Sequence, residues 1–256
     1  PLLPPPGKRR CTHPGRKPIE NRAALTGILF VLRTGIPWEY LPQEMGCGSG
    51  MSCWRRLRDW KKAGVWDHLH RVLLEKLQAA GKIDWSRAVV DSASVRAMHP
   101  GKKTGPSPVD RRKYGTKHTL LVDAPGRVPL AYSVTAANRH DLTELIPVVD
   151  RVPAVRGKAG RPRFRPDQLF GDRGYDSDPH RQLLRERGIK PVIARRWTAH
   201  GSGLGVHRWV VERAESWLHK HRRLKLRYEK RDDIHEAFVP LACALMCLNC
   251  LTDRFC

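Results

Sequence analysis

The hydrophobic positions at the start of the chain follow a helical period. Apolar residues recur at helical spacing from Asn21, and Gly35-Ile36-Pro37 ends that predicted helix. A second helix is predicted from about Ser52, which can act as its N-cap, and a third runs from Val65 through Leu77. The chain up to residue 82 is therefore predicted to form a small all-α domain.

From residue 83 the pattern changes to short apolar runs that alternate with helical segments. The β-branched run Arg87–Asp91 predicts a buried strand, and Thr119–Asp123 with Val128–Thr135 predicts a hairpin. The later predicted elements are a helix at 142–152, a strand at 168–171, a helix at 178–187, a strand at 191–194, and helices at 206–221 and 234–248. The stretches 97–117 and 154–167 lack periodicity and predict exposed loops.

The predicted order β, β, β, α, β, α, β, α is the element order of the RNase H-like fold. We therefore expect residues 83–256 to form an α/β domain, a mixed five-stranded sheet with flanking helices. The all-α domain of residues 1–82 would precede it. Sheets with helices on both faces occur in many unrelated enzymes, so this architecture does not define a function.

Charge narrows the choice of partner. The chain has 48 Lys and Arg against 25 Asp and Glu, a formal net charge of +23, and 40% hydrophobic residues, enough for a core. Such an excess of positive charge attracts polyanions through phosphate contacts and counterion release. We favour a nucleic acid as the partner, and a basic soluble or ribosome-like protein is the alternative.

Three basic regions are the predicted DNA contacts. The second helix belongs to a pair that resembles a helix-turn-helix unit, although an ordinary bundle with a solvated basic face has the same pattern. A second region follows residue 208, where a solvated helix end is the alternative. The third is the predicted loop that contains Lys113 and Lys117. The predicted contacts are Arg55, Arg56, Arg58, Lys113, Lys117, Arg208, Lys220, Arg222, Arg223, Lys225 and Arg227.

Three acidic residues are the candidate catalytic groups. Asp91 and Asp172 each follow an apolar run, and Glu212 lies on a predicted helix four residues after Arg208. A buried carboxylate is costly unless it is paired or binds a metal, and carboxylate oxygens are ligands that Mg²⁺ prefers. Taken singly, the aspartates suit turns and Glu212 suits a surface pair with Arg208. Together, in this fold order, they favour a divalent-metal site that acts on phosphodiesters.

Three remaining patterns have structural explanations. Cys243, Cys247 and Cys250 share one face of the last predicted helix, where small apolar residues are expected. That helix is interrupted by Pro240 and Asn249, so it predicts a buried element and no membrane span. The chain begins with Pro1, from which we expect a truncated product, and it has no phosphate loop for a nucleotide.

A series of short motifs connects these candidates. They are Gly35–Pro42, Val90-Asp91-Ser92, Ala137–Asp141, Gly171–Tyr175, Arg208–Arg213, Arg222-Arg223-Leu224 and Arg227-Tyr228-Glu229. In this order they resemble bacterial insertion-sequence transposases of the Asp-Asp-Glu class, close to the insertion sequence five group. Arg208 and Glu212 keep the spacing of that family's Tyr-Arg-Glu-Lys signature, whereas Gly205 and His219 replace its Tyr and Lys.

The resemblance implies that Asp91, Asp172 and Glu212 hold two Mg²⁺ ions, for which Mn²⁺ can substitute. It implies cleavage and strand transfer at terminal inverted repeats, with double-stranded DNA as partner and a homodimer or higher assembly on that DNA. It also implies a bacterial cytoplasmic protein associated with the nucleoid. Two alternatives stay open: a truncated, inactive DNA-binding relative, and an RNase H-like nuclease without strand transfer.

Overall fold

The structure is a computed structural model, and it describes residues 2–4, 12–13, 17–197 and 205–253, without the side chains of 205–208. The helices are α1 (Asn21–Thr34), α2 (Gly50–Lys62), α3 (Val65–Ala79), α4 (Leu142–Asp150), α5 (Asp178–Glu186), α6 (Gly205–His219), α7 (Arg222–Lys225) and α8 (Asp232–Leu251). The strands are β1 (Ala88–Ala97), β2 (Gly105–Pro106), β3 (Tyr114–Asp123), β4 (Pro129–Ala136), β5 (Gln168–Gly171), β6 (Lys190–Ile193) and β7 (Leu226–Arg227).

The sheet has five main strands in the order β4-β3-β1-β5-β6. Strands β4, β3 and β1 pair antiparallel, whereas β1, β5 and β6 pair parallel. The short strands β2 and β7 add to β3 and β1. This arrangement confirms the predicted α/β class with an RNase H-like mixed sheet and flanking helices.

Helices cover both faces of the sheet, which explains the continuous apolar runs of its central strands. Alternate side chains point to opposite faces. Val89 and Phe170 join a core with α6 and α8, whereas their neighbours Val90 and Leu169 join a second core with α3, α4 and α5. The face that a residue shares with Val89 and Phe170 is called the α6 face below.

The N-terminal helices pack onto the rest of the molecule through the first of these cores. Trp38 stacks on Phe238 of α8 with ring centroids 6.0 Å apart. Arg223 of α7 donates a hydrogen bond from Nη1 to the carbonyl oxygen of Gly35 at 3.0 Å. Whether residues 1–82 form a separate domain stays a prediction.

Helix α8 is the long apolar element of the core. By length and composition it could cross a membrane, but 72% of its most apolar window is buried inside the protein. The three cysteines predicted on its face are buried. The buried position agrees with the prediction for this segment.

Two predicted boundaries are wrong. Helix α2 begins at Gly50, and Ser49 rather than Ser52 is its cap, with Ser49 Oγ accepting the Ser52 N–H at 3.2 Å. The predicted loop 97–117 is partly strand, because β1 continues to Ala97 and β3 begins at Tyr114. The added part of β1 alternates polar and apolar residues, a strand pattern that was missed, and it pairs with the added part of β3.

Candidate active site

The parallel pairing of β1 with β5 places the two candidate aspartates side by side. Ala88 pairs with Leu169 and Val89 with Phe170, and the same register, continued two residues, aligns Asp91 with Asp172. Neighbouring strands lie about 4.8 Å apart. Both residues lie two positions after a residue of the α6 face, so both carboxylates belong to that face.

The two aspartates differ in their backbone setting. Asp91 is the fourth residue of β1, not a residue beyond its end, and its Oδ1 accepts the Ser92 N–H at 2.8 Å. Asp172 follows β5 and caps the short 3₁₀ helix Arg173–Tyr175, with its Oδ1 accepting the Gly174 N–H at 2.8 Å. Both side chains are only partly buried. Each therefore stays accessible at the carboxyl end of the parallel strands.

Tyr175 lies beneath this acidic pair. Its hydroxyl is 3.0 Å from Ser92 Oγ, and Ser92 Oγ is 2.7 Å from Thr119 Oγ1 on β3. Burial raises the pKa of the Tyr175 phenol well above its usual range, and the negative charges of nearby Asp141, Asp91 and Asp172 raise it further. The phenol is therefore neutral, and three carboxylates act on it at once.

Asp141 is held by a lysine and does not cap α4. It occupies the N-cap position, but its side chain makes no capping hydrogen bond. Instead, Lys117 Nζ donates to Asp141 Oδ1 at 2.6 Å and to the carbonyl oxygen of Arg139 at 2.8 Å. This ion pair ties the loop after β4 to β3.

Glu212 lies on α6, which packs across β1, β3 and β5. Val211 and Ala214 of this helix are fully buried against the sheet, whereas the Glu212 side chain is exposed. Throughout the described ranges, no group of three His, Cys, Asp or Glu side chains is placed to share one metal ion. The structure thus brings Asp91 and Asp172 together but does not gather Glu212 with them. The predicted pairing with Arg208 lies outside the described side chains.

A line of three histidines crosses the interior near the end of α6. His118 Nδ1 is 3.2 Å from His219 Nε2, and His118 Nε2 is 2.9 Å from His235 Nε2. His235 Nδ1 lies 3.7 Å from Glu229 Oε2, and Arg223 Nε lies 2.9 Å from Glu229 Oε1. Motif spacing had singled out His219 but gave no indication of this chain of contacts.

The two hydrogen bonds between the histidine rings both form when every ring is neutral. A neutral imidazole donates from one nitrogen and accepts at the other. If His235 directs its Nδ1–H towards Glu229, then His118 donates to His235 and His219 donates to His118. Burial lowers the pKa of all three rings, in the case of His219 to about 4. The line therefore fastens α6 to β3 and α8 without buried positive charge.

The predicted DNA contacts divide into exposed and engaged side chains. Arg55, Lys113, Lys220, Arg222 and Lys225 are exposed. Arg56 binds Asn21 Oδ1 and Arg58 pairs with Asp59, and both are partly exposed. The side chain of Arg208 is outside the described part of the chain.

The structure removes three predicted contacts from the surface. Lys117 is buried in its pair with Asp141. Arg223 is buried against Glu229, and Arg227 is fully buried and donates to backbone carbonyl groups. The expectation that these three cations contact phosphate is corrected, because each is bound within the protein.

A buried arginine that the sequence analysis missed organises the loop after Asp172. Arg181 Nη2 binds Asp176 Oδ1 at 2.7 Å and the carbonyl oxygen of Ile193 at 2.9 Å. The other Asp176 oxygen, Oδ2, accepts the Arg196 N–H at 2.7 Å. This network joins the chain after β5 to the chain after β6, so the backbone around Asp172 is fixed from two sides.

Comparison with protein families identifies the class of protein. The model of the transposase DDE domain matches residues 86–247, and a model of putative transposases of the IS4/5 family matches residues 1–70. The chain therefore belongs to the family of transposases with a DDE domain, as its motifs predicted.

Individual relatives agree with this family. A putative transposase for insertion sequence element IS402 of Burkholderia cepacia is 55% identical over 149 residues, which cover 58% of this chain and 70% of that protein. An uncharacterised 16.2 kDa protein of the same element and organism is 67% identical over 108 residues, covering 42% and 74%.

Solved structures give looser likenesses. The catalytic core of BIV integrase has 13% identity and a TM-score of 0.31, covering 64% of this chain and 82% of that one. The catalytic domain of Mos1 mariner transposase has 11% identity and a TM-score of 0.30, covering 73% and 91%. At these scores the likeness adds no functional conclusion.

Proposed function

We propose that this chain catalyses divalent-metal-dependent cleavage and strand transfer of DNA at insertion-sequence ends. The family supports a transposase role. The observation on which the proposal depends is the shared register of Asp91 and Asp172 on neighbouring parallel strands, on the face that α6 covers. In open α/β sheets, ligands bind near the carboxyl ends of parallel strands. Asp172 directly follows β5, and Asp91 lies on β1 just beyond the part that pairs with β5.

The two aspartates fit a divalent cation. Carboxylates on adjacent strands about 4.8 Å apart can both reach an ion whose ligand distances are about 2.1 Å. Asp91, Asp172 and Glu212 would hold two Mg²⁺ ions, which when bound stabilise charge on the attacked phosphate and on the leaving oxygen. Glu212 would join the pair from α6.

The chain's own groups position this site. The Gly174 N–H orients the Asp172 carboxylate. The ion pair between Asp176 and Arg181 fixes the loop that contains Asp172 and Gly174. Tyr175 closes the space beneath the acids, because its ring is buried and its hydroxyl is tied to Ser92. These contacts preorganise the carboxylates of the site before the substrate binds.

The decisive experiment measures cutting and joining separately. Labelled duplexes with the element's own terminal repeats are incubated with Mg²⁺ and a plasmid target. We expect cleavage with a free 3′-hydroxyl, followed by joining to the plasmid. Cleavage without joining would favour the nuclease alternative, and DNA binding with neither product would favour the inactive relative. An Asp172→Asn variant that cuts as fast as the wild type would contradict the assigned site.

The third acid needs its own test, because α6 offers two glutamates. Glu212 is exposed, whereas Glu215 is partly buried one turn later. We expect Glu212→Gln to slow cleavage by more than about 100-fold, beyond the 10–100-fold typical of residues that only support metal ligands. Glu215→Gln should slow it by less than about tenfold. The reverse order would transfer the third role to Glu215.

A further inference from the structure

A strained, positively charged hairpin follows the end of β1. Residues 101–113, called the basic hairpin here, connect β1 to β3 and include β2. Its five cations are Lys102, Lys103, Arg111, Arg112 and Lys113, and its single acid is Asp110. All five cationic side chains are exposed.

A buried arginine holds the base of the basic hairpin. Arg227 has no exposed surface, and its guanidinium donates to the carbonyl oxygens of Lys102 at 2.9 Å and Lys103 at 3.2 Å. It also donates to Thr116 Oγ1 at 3.1 Å and to the carbonyl oxygen of Glu229 at 2.9 Å. A buried cation is tolerated only when its donors are satisfied, so Arg227 fixes the hairpin backbone firmly.

Two glycines bring the basic hairpin close to its neighbours. A Cβ on Gly101 would lie 2.3 Å from the carbonyl oxygen of Lys230, and one on Gly105 would lie 2.1 Å from Asn138 Oδ1. At Gly101 the neighbour is backbone, so only a residue without a side chain allows the approach. The hairpin is thus held on both sides, by the segment after β7 and by the loop after β4.

Three cationic residues of the basic hairpin adopt left-handed backbone conformations. Lys103 has φ 55°, Arg111 has φ 46° and Arg112 has φ 59°. This conformation is unfavourable for residues with a Cβ, and it persists where the surroundings fix it, often at ligand clamps. The Arg112 N–H donates to the Ser107 carbonyl at 3.1 Å, and the Ser107 N–H to the Lys113 carbonyl at 2.8 Å.

The charges of the basic hairpin are mostly without counterions. Lys103 pairs with Glu236. Among the residues that the structure describes, no acidic side chain forms an ion pair with Lys102, Arg111, Arg112 or Lys113. The three consecutive cations Arg111, Arg112 and Lys113, together with Lys102, are suited to a polyanion with regularly spaced charges.

We propose that the basic hairpin is a preorganised surface for the sugar–phosphate backbone of double-stranded DNA beside the cleavage position. It lies beyond Ala97, six residues after Asp91 on β1, or about 20 Å at 3.3 Å per residue. A duplex that follows β1 would meet it about six base pairs from the attacked phosphate, at 3.4 Å per step. This inference rests on the proposed function.

The test is the salt dependence of DNA binding. Binding of a duplex of about 30 base pairs is measured in EDTA, so that no strand is cut, for wild type and for Arg111→Gly/Arg112→Gly. Glycine accepts the left-handed backbone, so the variant should not lower the midpoint of thermal unfolding. We expect the slope of log K against log salt to decrease by about two, since each lost phosphate contact removes about 0.9.

Two control variants separate position from charge. Arg156→Gly/Arg161→Gly removes two exposed loop cations at the opposite end of the sheet and should leave the slope unchanged. Arg111→Lys/Arg112→Lys keeps the charges and should keep most of the slope. An unchanged slope in the glycine variant, or an equal decrease in the opposite-end control, would overturn the proposal for the hairpin. Absence of binding by the wild type would instead contradict the proposed function.

Discussion

The two ends of the sheet hold aspartates in opposite ways. Asp123, the last residue of β3, is fully buried, and its Oδ1 accepts the N–H groups of Arg127 and Val128, both at 3.0 Å. Asp91 and Asp172 are partly exposed, and their Oδ1 atoms accept the N–H groups of Ser92 and Gly174, both at 2.8 Å. A carboxylate enclosed by its own turn serves the fold, whereas a partly exposed pair on parallel strands can bind a ligand.

The largest expected effect compares the same substitution at the two ends. Asp91→Asn should slow DNA cleavage by more than about 100-fold, because it removes a charge that the site needs for its cations. Asp123→Asn should change the rate by less than about threefold, since an amide can still accept both turn hydrogen bonds. Cleavage of labelled end duplexes under single-turnover conditions measures both rates.

Equal losses of cleavage rate in these two variants would contradict the difference between the two ends of the sheet. Such a result would mean that Asp91, like Asp123, contributes to folding alone. Circular dichroism and the thermal midpoint of each variant provide the control, because a folded Asp91→Asn protein without activity supports a chemical role.

The second prediction concerns how the free energy of unfolding depends on pH through the buried carboxyl group of Asp123. Burial raises the pKa of Asp123 to about 6 from its usual 3.8. The folded protein therefore holds this proton more tightly than the unfolded chain, and the stabilisation is lost as pH rises through about 6. As pH rises from 4 to 7, the free energy of unfolding of the Asp123→Asn variant should increase relative to wild type by up to roughly 3 kcal/mol, at 1.36 kcal/mol per pKa unit.

Urea unfolding of both proteins across this pH range measures the difference. The buried histidines have lowered pKa values, so their contribution is present above pH 6.5 and is lost as pH falls towards about 4. That contribution is common to both proteins and cancels in the difference. If the difference in free energy of unfolding between the two proteins does not change with pH, burial does not penalise the ionised form of Asp123. That result would contradict this prediction.

Much of the sheet could be predicted from the sequence, because its central strands are apolar on both faces. The runs before Asp91 and Asp172 correctly marked β1 and β5. Their alignment could not be predicted, because the register of parallel strands depends on packing between segments about 80 residues apart. The exposure of Glu212 depends in the same way on how α6 packs across the sheet.

The basic residues show a second limit of local pattern. Lys225 and Arg227 belong to one basic segment, yet Lys225 is exposed and Arg227 is fully buried. The difference arises from the carbonyl groups of Lys102 and Lys103, which lie more than 120 residues away in sequence. Net charge predicted a polyanionic partner, but only tertiary structure shows which cations are left for it.

The smallest expected effect compares two tyrosines, the buried Tyr175 beside the acids and the partly buried Tyr132 on the edge strand β4. Tyr175→Phe removes the contact with Ser92, and Tyr132→Phe removes the hydrogen bond from Tyr132 to Asp67. Each should cost about 1 kcal/mol of stability, the usual net value of one hydrogen bond. Only Tyr175→Phe should also slow cleavage, by up to about tenfold, because its hydroxyl lies among the site carboxylates. Unfolding and single-turnover cleavage on the same preparations distinguish the two effects. If both variants cleave at the wild-type rate, Tyr175 contributes to the fold only and is not part of the site around Asp91 and Asp172.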